Sequence, residues 1–327
     1  KNIVFNLIGP INVALAVVYF SRQEIEKDAF IDTIRLMFYP LVSVLAFVIL
    51  KTPNLETVEF KLGANFETSG GFGTNQVSTA LGLGAFFVFL FWRKNWQLTG
   101  YRWLDLAMLL LFIFRGLVTF SRGGMIGGAL GILLLLLLDS GNLVGEKAFK
   151  PVRTVVTALP VLLVIVFTFI YADKLTGGLL AQRYQGETAG TLAGRKEKTL
   201  NVLTSNRLQI FIDDLELWKA HPVLGVGVGA SRHLRNDTKG FLSHVETSRL
   251  LSEHGLLGLI YFIILVGLGV RIFRRTRNEH FGAILLALFM IAFFTTLHAA
   301  MRTYVSPLLF GLSLLSVNEM DLIEEES

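Results

Sequence analysis

Residues 125–138 have the sequence MIGGALGILLLLLL, which ends in seven consecutive aliphatic residues. Extended upstream to Ser121, the stretch approaches the roughly 20 apolar residues that a helix needs to cross the hydrocarbon core of a bilayer. The same pattern recurs along the chain. Nine segments predict membrane-spanning helices: about 3–20, 33–50, 75–92, 104–120, 121–138, 155–172, 255–273, 281–298 and 303–318. The sequence therefore predicts an all-α polytopic membrane protein.

The composition of the 327 residues agrees with this fold class. Hydrophobic residues make up 53% and charged residues 17%, whereas soluble domains average about 25% charged residues. These figures exclude a disordered chain, a nucleic-acid-binding domain and an ordinary soluble enzyme. The absence of cysteine excludes disulfides, thiolate metal sites and cysteine nucleophiles. No cluster of histidine and carboxylate residues has metal-ligand spacing, so we expect neither a metal nor a cofactor.

The distribution of lysine and arginine predicts the orientation of the spans. The loop that carries Arg271, Arg274, Arg275 and Arg277 is expected on the cytoplasmic side, because cytoplasmic loops are enriched in cations. Alternation of the spans then predicts four external segments: about 51–74, 119–124, 173–254 and 298–303. The chain starts at Lys1 without a methionine, and we expect further spans upstream.

The sequence predicts three regions. Residues 1–172 form the first part of the transmembrane bundle, and residues 173–254 form a large external loop. Residues 255–327 form the last part of the bundle and an acidic cytoplasmic tail. A loop of about 80 residues is too long for a structureless connector, so we expect structure inside it.

An amphipathic helix is predicted in this loop, capped by Ser205 or Asn206 and ended by Pro222. Its apolar face consists of residues at helical spacing, namely Leu208, Phe211, Ile212, Leu215 and Trp218. Asp213, Asp214 and Glu216 are expected on the opposite, solvated face. Such a helix lies either on the membrane surface or packs as a lid on the bundle.

Three arginines are candidate anion ligands. Arg122 precedes two glycines at a span boundary, where it either binds a phosphate through its guanidinium fork or snorkels to the membrane edge. Arg115 lies within a predicted span. A charged residue there either has a direct functional role or anchors a structural hydrogen bond. Arg207 opens the amphipathic helix, where the helix dipole disfavours a cation. Either a ligand holds it there or water solvates it.

His244 is the candidate for acid–base chemistry, because it lies in a polar external segment and histidine has a reference pKa near 6.5. A structural role for a single histidine is the alternative. Glu246 and Glu253 lie nearby in sequence. His298 and Arg302 bracket another external turn, where they either join the same site or mark the membrane boundary.

The order of these motifs resembles a known family. The first is Ser121-Arg122-Gly123, and the second is Arg207 followed by HPVLGVGVG at 221–229. The third is Ser243-His244 followed by LLSEHGLLGL at 250–259. With GFGTNQ at 71–76, they resemble the O-antigen ligase/polymerase superfamily of bacterial envelope glycosyltransferases over roughly residues 70–270. The family often has asparagine where this chain has Val245.

The resemblance implies metal-independent transfer of a glycan on the outer face of the bacterial inner membrane. The donor would be a glycan on undecaprenyl diphosphate, and the acceptor a sugar hydroxyl. Arg122 and Arg207 would bind the diphosphate, and His244 would act as general base. Further substrate-binding residues would be Arg115, Arg302, His298, Glu246 and Glu253.

Two other functional classes stay open at the level of sequence. A secondary transporter shares the many spans, but it usually shows repeat symmetry and ionisable residues near the midplane, and neither is clear here. If the protein is instead a non-catalytic membrane subunit, we expect Arg122, Arg207 and His244 to lie far apart. The transferase hypothesis predicts that they converge on one external cavity.

Overall fold

The structure is a computed structural model that describes residues 2–138, 151–276, 279–299, 301 and 303–318. Long helices dominate this part of the chain. They are α1 (Asn2–Phe20), α2 (Lys27–Lys51), α3 (Thr74–Lys94), α4 (Arg102–Val118), α5 (Arg122–Leu138), α6 (Pro151–Leu175), α13 (Leu256–Arg275) and α14 (Gly282–His298). The long loop and the chain end carry α7 (Leu179–Tyr184), α8 (Ala189–Leu192), α9 (Leu200–Leu203), α10 (Arg207–Ala220), α11 (Ser231–Leu234), α12 (Glu246–His254) and α15 (Val305–Leu312).

The prediction of a mostly helical membrane protein is confirmed, whereas the count of nine spans is not. Among the described residues, α1, α2, α3 and α13 are long and apolar enough to cross a membrane, and α5 and α14 are shorter apolar helices. The ninth predicted span, 303–318, instead contains the eight-residue helix α15. At 1.5 Å per residue, α15 is about 12 Å long. The chain then enters the strand β2 (Ser316–Asn318), which pairs in parallel with β1 (Glu24–Glu26).

Helix α3 lies at the centre of the bundle. Of its most apolar window 89% is buried, against 17% for α1 and α13. Small residues bring α5 against it: a Cβ added to Gly124 would lie 2.2 Å from the carbonyl carbon of Ser78, and one on Gly128 would lie 2.3 Å from the carbonyl oxygen of Gly82. Glycines four residues apart allow such close approach of helices in a membrane. The start of α5 is therefore held against α3.

The start of α5 also meets the end of α14. A Cβ added to Gly123 would lie 2.4 Å from Cδ2 of His298, so only glycine fits there without a shift of the imidazole. Further along α5, a Cβ added to Gly131 would lie 2.6 Å from Cδ1 of Ile291 on α14. Helices α3, α5 and α14 thus form a tight core, and one end of this core carries Arg122 and His298.

Helix α10 lies where the sequence predicts an amphipathic helix, but its buried face differs from the prediction. The buried residues are Ile210, Asp213 and Asp214, whereas Ile212 is exposed. The prediction that the two aspartates are solvated is wrong, because α10 packs on α12 through polar side chains rather than through an apolar stripe. Asn206 precedes α10, and its side chain makes no capping hydrogen bond.

Candidate functional site

Arg122 follows a corner of unusual backbone geometry between α4 and α5. Phe120 has a φ of +58°, a left-handed conformation that is uncommon for a bulky side chain. Its ring is buried and stacks on Phe60, with ring centroids 5.6 Å apart. This packing holds the corner and fixes where α5 begins, and with it the position of Arg122.

A second corner of the same kind precedes Arg207. Ser205 and Asn206 have φ values of +55° and +64°. The described residues contain one further non-glycine position of this type, Asn95. Strained backbone of this kind costs on the order of 1–3 kcal/mol per residue and clusters at functional sites. Its occurrence next to both predicted anion ligands therefore marks this region as a candidate site.

Arg122 and Arg183 form a hydrogen-bonded pair across these corners. Arg122 Nη1 donates to the carbonyl oxygen of Arg183 at 3.1 Å, and Arg122 Nη2 donates to the carbonyl oxygen of Leu203 and to Ser205 Oγ. Arg183 donates from Nε to the carbonyl oxygen of Phe120 and from Nη2 to the same Ser205 Oγ. The loop helix α7 is thereby tied to the start of α5.

Arg207 adds a third positive charge to this pair, and we call Arg122, Arg183 and Arg207 the arginine cluster. Burial and the charges of Arg122 and Arg207 lower the pKa of Arg183 to about 10. Burial and Arg122 likewise lower the pKa of Arg207, whose buried Nε has no hydrogen-bond partner. None of the ion pairs among the described residues involves the cluster. Such a concentration of half-buried cations favours an anionic ligand.

His298 lies behind the cluster, in the core of the bundle. Its Nδ1 is 3.0 Å from the carbonyl oxygen of Phe294 and therefore donates to it, and its Nε2 lies 3.1 Å from Thr79 Oγ1. Asn75 Nδ2 donates to the carbonyl oxygen of His298. Since both ring nitrogens are engaged, His298 joins α3 to α14, and contact with a substrate stays a prediction.

His244 is half-buried in the segment that leads to α12. The neighbouring Ser243 hydroxyl donates to the carbonyl oxygen of Val245 and accepts from its N–H, which fixes the backbone on both sides of the histidine. His244 and Arg207 both interact electrostatically with His298. Convergence of His244 with the arginine cluster on one cavity stays a prediction.

Glu246 and Glu253 are buried beside Arg249. Glu246 accepts a hydrogen bond from Arg249 Nη2, and Glu253 Oε2 lies 3.6 Å from Arg249 Nη1. Glu253 also accepts from Ser231 Oγ at 2.8 Å. The two carboxylates therefore neutralise an arginine inside the protein, and a direct role of either in substrate binding stays a prediction.

Of the remaining two predicted residues, the structure describes Arg115 alone. Arg115 lies on α4, and its buried Nη1 has no hydrogen-bond partner. None of its described contacts connects it to the arginine cluster. Arg302 lies outside the described residues.

A buried network that the sequence did not predict fastens α10 to α12. Asp214 and Arg235 form an ion pair at 2.8 Å with both side chains fully buried. Ser248 and Ser252 also donate to Asp214. Burial raises the pKa of Asp214, and Arg235 and the two serines oppose this effect. Arg235 also donates to the carbonyl oxygen of Phe241, so the network supports the segment that carries His244.

We expect Asp214→Ala to destabilise the folded loop by about 3–5 kcal/mol, because it leaves the Arg235 guanidinium buried without a counter-charge. The measurement is the midpoint of thermal unfolding of the purified protein in detergent, at one heating rate. Glu216→Ala is the control, since Glu216 is an exposed carboxylate on the same helix. Equal midpoints for the two variants would contradict a stabilising role for the network.

An apolar cavity of about 240 Å³ adjoins the arginine cluster. Side chains of α3, α4, α5 and α6 line it, among them Ile113, Leu117 and Ile165. Tyr184, next to Arg183 on α7, also lines the cavity, and burial raises the pKa of its phenol. Through Tyr184, the apolar cavity thus lies next to the half-buried arginines of the cluster.

Part of the chain matches a known protein family. Residues 106–263 match the sequence profile of the O-antigen ligase family. This range contains the arginine cluster and His244, and it ends within α13. Neither the curated proteins nor the solved structures gave a significant match.

Proposed function

Because the chain belongs to the O-antigen ligase/polymerase superfamily, we propose that it transfers a glycan from a lipid diphosphate to a sugar hydroxyl. The family comprises membrane enzymes of polysaccharide biosynthesis that act on lipid-linked glycans and their acceptors. The chain is accordingly a bacterial membrane protein. The proposal adds undecaprenyl diphosphate as the carrier and the external face of the inner membrane as the location.

The arginine cluster beside an apolar cavity is the observation that carries this proposal. A lipid diphosphate has an anionic head and an apolar chain, and the site offers a counterpart to each. Guanidinium groups bind phosphate oxygens in a bidentate manner, and such contacts are stronger where water is excluded. We assign the diphosphate to Arg122 and Arg207, and the first part of the prenyl chain to the cavity near Tyr184.

The proposed reaction is a single displacement at the anomeric carbon of the donor. His244 accepts the proton of the acceptor hydroxyl, and the hydroxyl oxygen forms the new bond to the anomeric carbon. The bond from this carbon to the diphosphate oxygen breaks, and the diphosphate leaves with the electron pair. Arg122 and Arg207 stabilise the charge that develops on the leaving oxygen. The configuration at the anomeric carbon inverts.

The experiment that tests this function compares the glycans of the native strain, a deletion strain and a complemented strain on a gel. Glycan stalled at one repeat unit in the deletion strain supports a polymerase. Long chains on the lipid carrier, with a bare acceptor, support a ligase. An unchanged glycan profile in the deletion strain would contradict both assignments.

A reaction with purified protein separates the transferase from a transporter. In detergent there is no second compartment, so a transporter leaves lipid-linked glycan and acceptor unchanged. We expect the purified protein to form the transferred product under these conditions. A protein that restores the glycan profile in cells but forms no product in detergent would contradict the proposed chemistry.

A further inference from the structure

Arg183 lies in the arginine cluster, although the sequence motifs do not include it. We propose that Arg183 is a third ligand of the donor diphosphate, beside Arg122 and Arg207. This inference rests on the proposed function and adds a residue from the external loop to its binding site.

Arg122 and Arg183 both donate to the hydroxyl of Ser205. Arg122 Nη2 and Arg183 Nη2 lie 3.3 and 3.4 Å from the same atom, Ser205 Oγ. The two guanidinium groups are thus separated by no more than two hydrogen-bond lengths. One diphosphate, whose oxygens lie on adjacent phosphorus atoms, can therefore contact both groups.

Hydrogen bonds to uncharged groups hold Arg122 and Arg183 close together. Their acceptors in the structure are neutral: the carbonyl oxygens of Phe120, Arg183 and Leu203 and the Ser205 hydroxyl. Like charges at this separation repel one another, and burial weakens the screening by water. Burial, and after it the charges of Arg122 and Arg207, lower the pKa of Arg183. A bound diphosphate would convert this repulsion into attraction.

The hydrogen bonds that the Arg183 side chain donates are weak. Both of its side-chain donations are 3.4 Å long, beyond the usual 2.7–3.2 Å for this kind of hydrogen bond. A charged phosphate oxygen is a much stronger acceptor than a hydroxyl or a carbonyl. Ser205 Oγ therefore occupies the position that a phosphate oxygen takes when the donor binds.

The short helix α7 presents Arg183 from a fixed position. The N–H of Ala181 donates to Asp173 Oδ1 at 2.7 Å, which joins α7 to the end of α6. Leu180 is fully buried, and Tyr184 packs edge-on against Phe169. The guanidinium of Arg183 is therefore held beside that of Arg122 before any ligand binds, which reduces the entropy lost on binding.

The test measures binding of inorganic diphosphate to the purified protein by calorimetry, and the KM for the lipid-linked donor. We expect Arg183→Gln to weaken diphosphate binding at least tenfold and to raise the donor KM by a similar factor, with the acceptor KM unchanged. Arg183→Lys keeps the charge and should recover part of both. Arg195→Gln, at an exposed position of the same loop, should match the native protein.

Unchanged diphosphate affinity and donor KM in Arg183→Gln would overturn this inference while leaving the proposed function intact. A loss of acceptor affinity equal to that of donor affinity would also overturn it, because that pattern indicates a general role in folding the loop. If the native protein forms no product from donor and acceptor, the proposed function itself fails.

Discussion

His244→Ala is expected to abolish glycan transfer while the protein remains folded and inserted in the membrane. A general base contributes about 10²–10⁴-fold to the rate of such a step, so less than about 1% of the native rate should remain. The side chain is half-buried, and the Ser243 hydroxyl holds the backbone around it. The substitution therefore removes the imidazole without removing the support of the loop.

Two controls accompany this variant. His233→Ala removes an exposed histidine from the same loop and should leave transfer unchanged. Size-exclusion chromatography and thermal unfolding in detergent show whether His244→Ala has the native fold. Full activity of a folded His244→Ala protein would remove the assignment of a general base and would favour a non-catalytic membrane subunit.

The long helices could be predicted from the sequence because the bilayer sets their length and composition. The predicted span 75–92 corresponds to α3 (Thr74–Lys94), and 281–298 corresponds to α14 (Gly282–His298). The segment 303–318 is equally apolar, but apolar composition does not distinguish a membrane span from a helix buried within the protein. Phe310 of α15 packs edge-on against Phe289 of α14 with centroids 5.2 Å apart. The segment is thus apolar because it is part of the core.

Within the candidate site, the residues that could be proposed from the sequence are those that belong to short motifs. Arg122 is followed by glycines, and Arg207 opens a helix. Arg183 has no such local signal, since its proposed role rests on contacts with Phe120 and Ser205, which lie far away in sequence. Left-handed backbone at non-glycine residues is likewise not encoded in a local pattern that the sequence analysis could detect.

The buried network around Asp214 was missed for a related reason. On a single helix, two adjacent aspartates opposite an apolar stripe predict a solvated face. The partners that make burial favourable are Arg235, Ser248 and Ser252, which follow 21 to 38 residues later. Only the folded loop brings these donors to the carboxylate, and a buried charge is tolerated when it is paired and hydrogen-bonded.

Arg122→Gln is expected to reduce transfer by about 10²–10³-fold, the usual cost of removing one group that stabilises charge in the transition state. The loss should appear in both the donor KM and kcat, because Arg122 is proposed to bind the diphosphate and to stabilise it as it leaves. Part of the effect is structural, since Arg122 donates to the carbonyl oxygens of Arg183 and Leu203. Two further variants separate these contributions.

Arg122→Lys keeps the positive charge but loses the planar fork that donates to several acceptors at once. It should recover part of the diphosphate affinity but little of kcat. Ser205→Ala removes only the shared hydroxyl and leaves all three arginines in place, so it should retain most of the activity. If Arg122→Gln transfers glycan at the native rate with a native donor KM, Arg122 is a boundary arginine that snorkels toward water, and the diphosphate binds elsewhere.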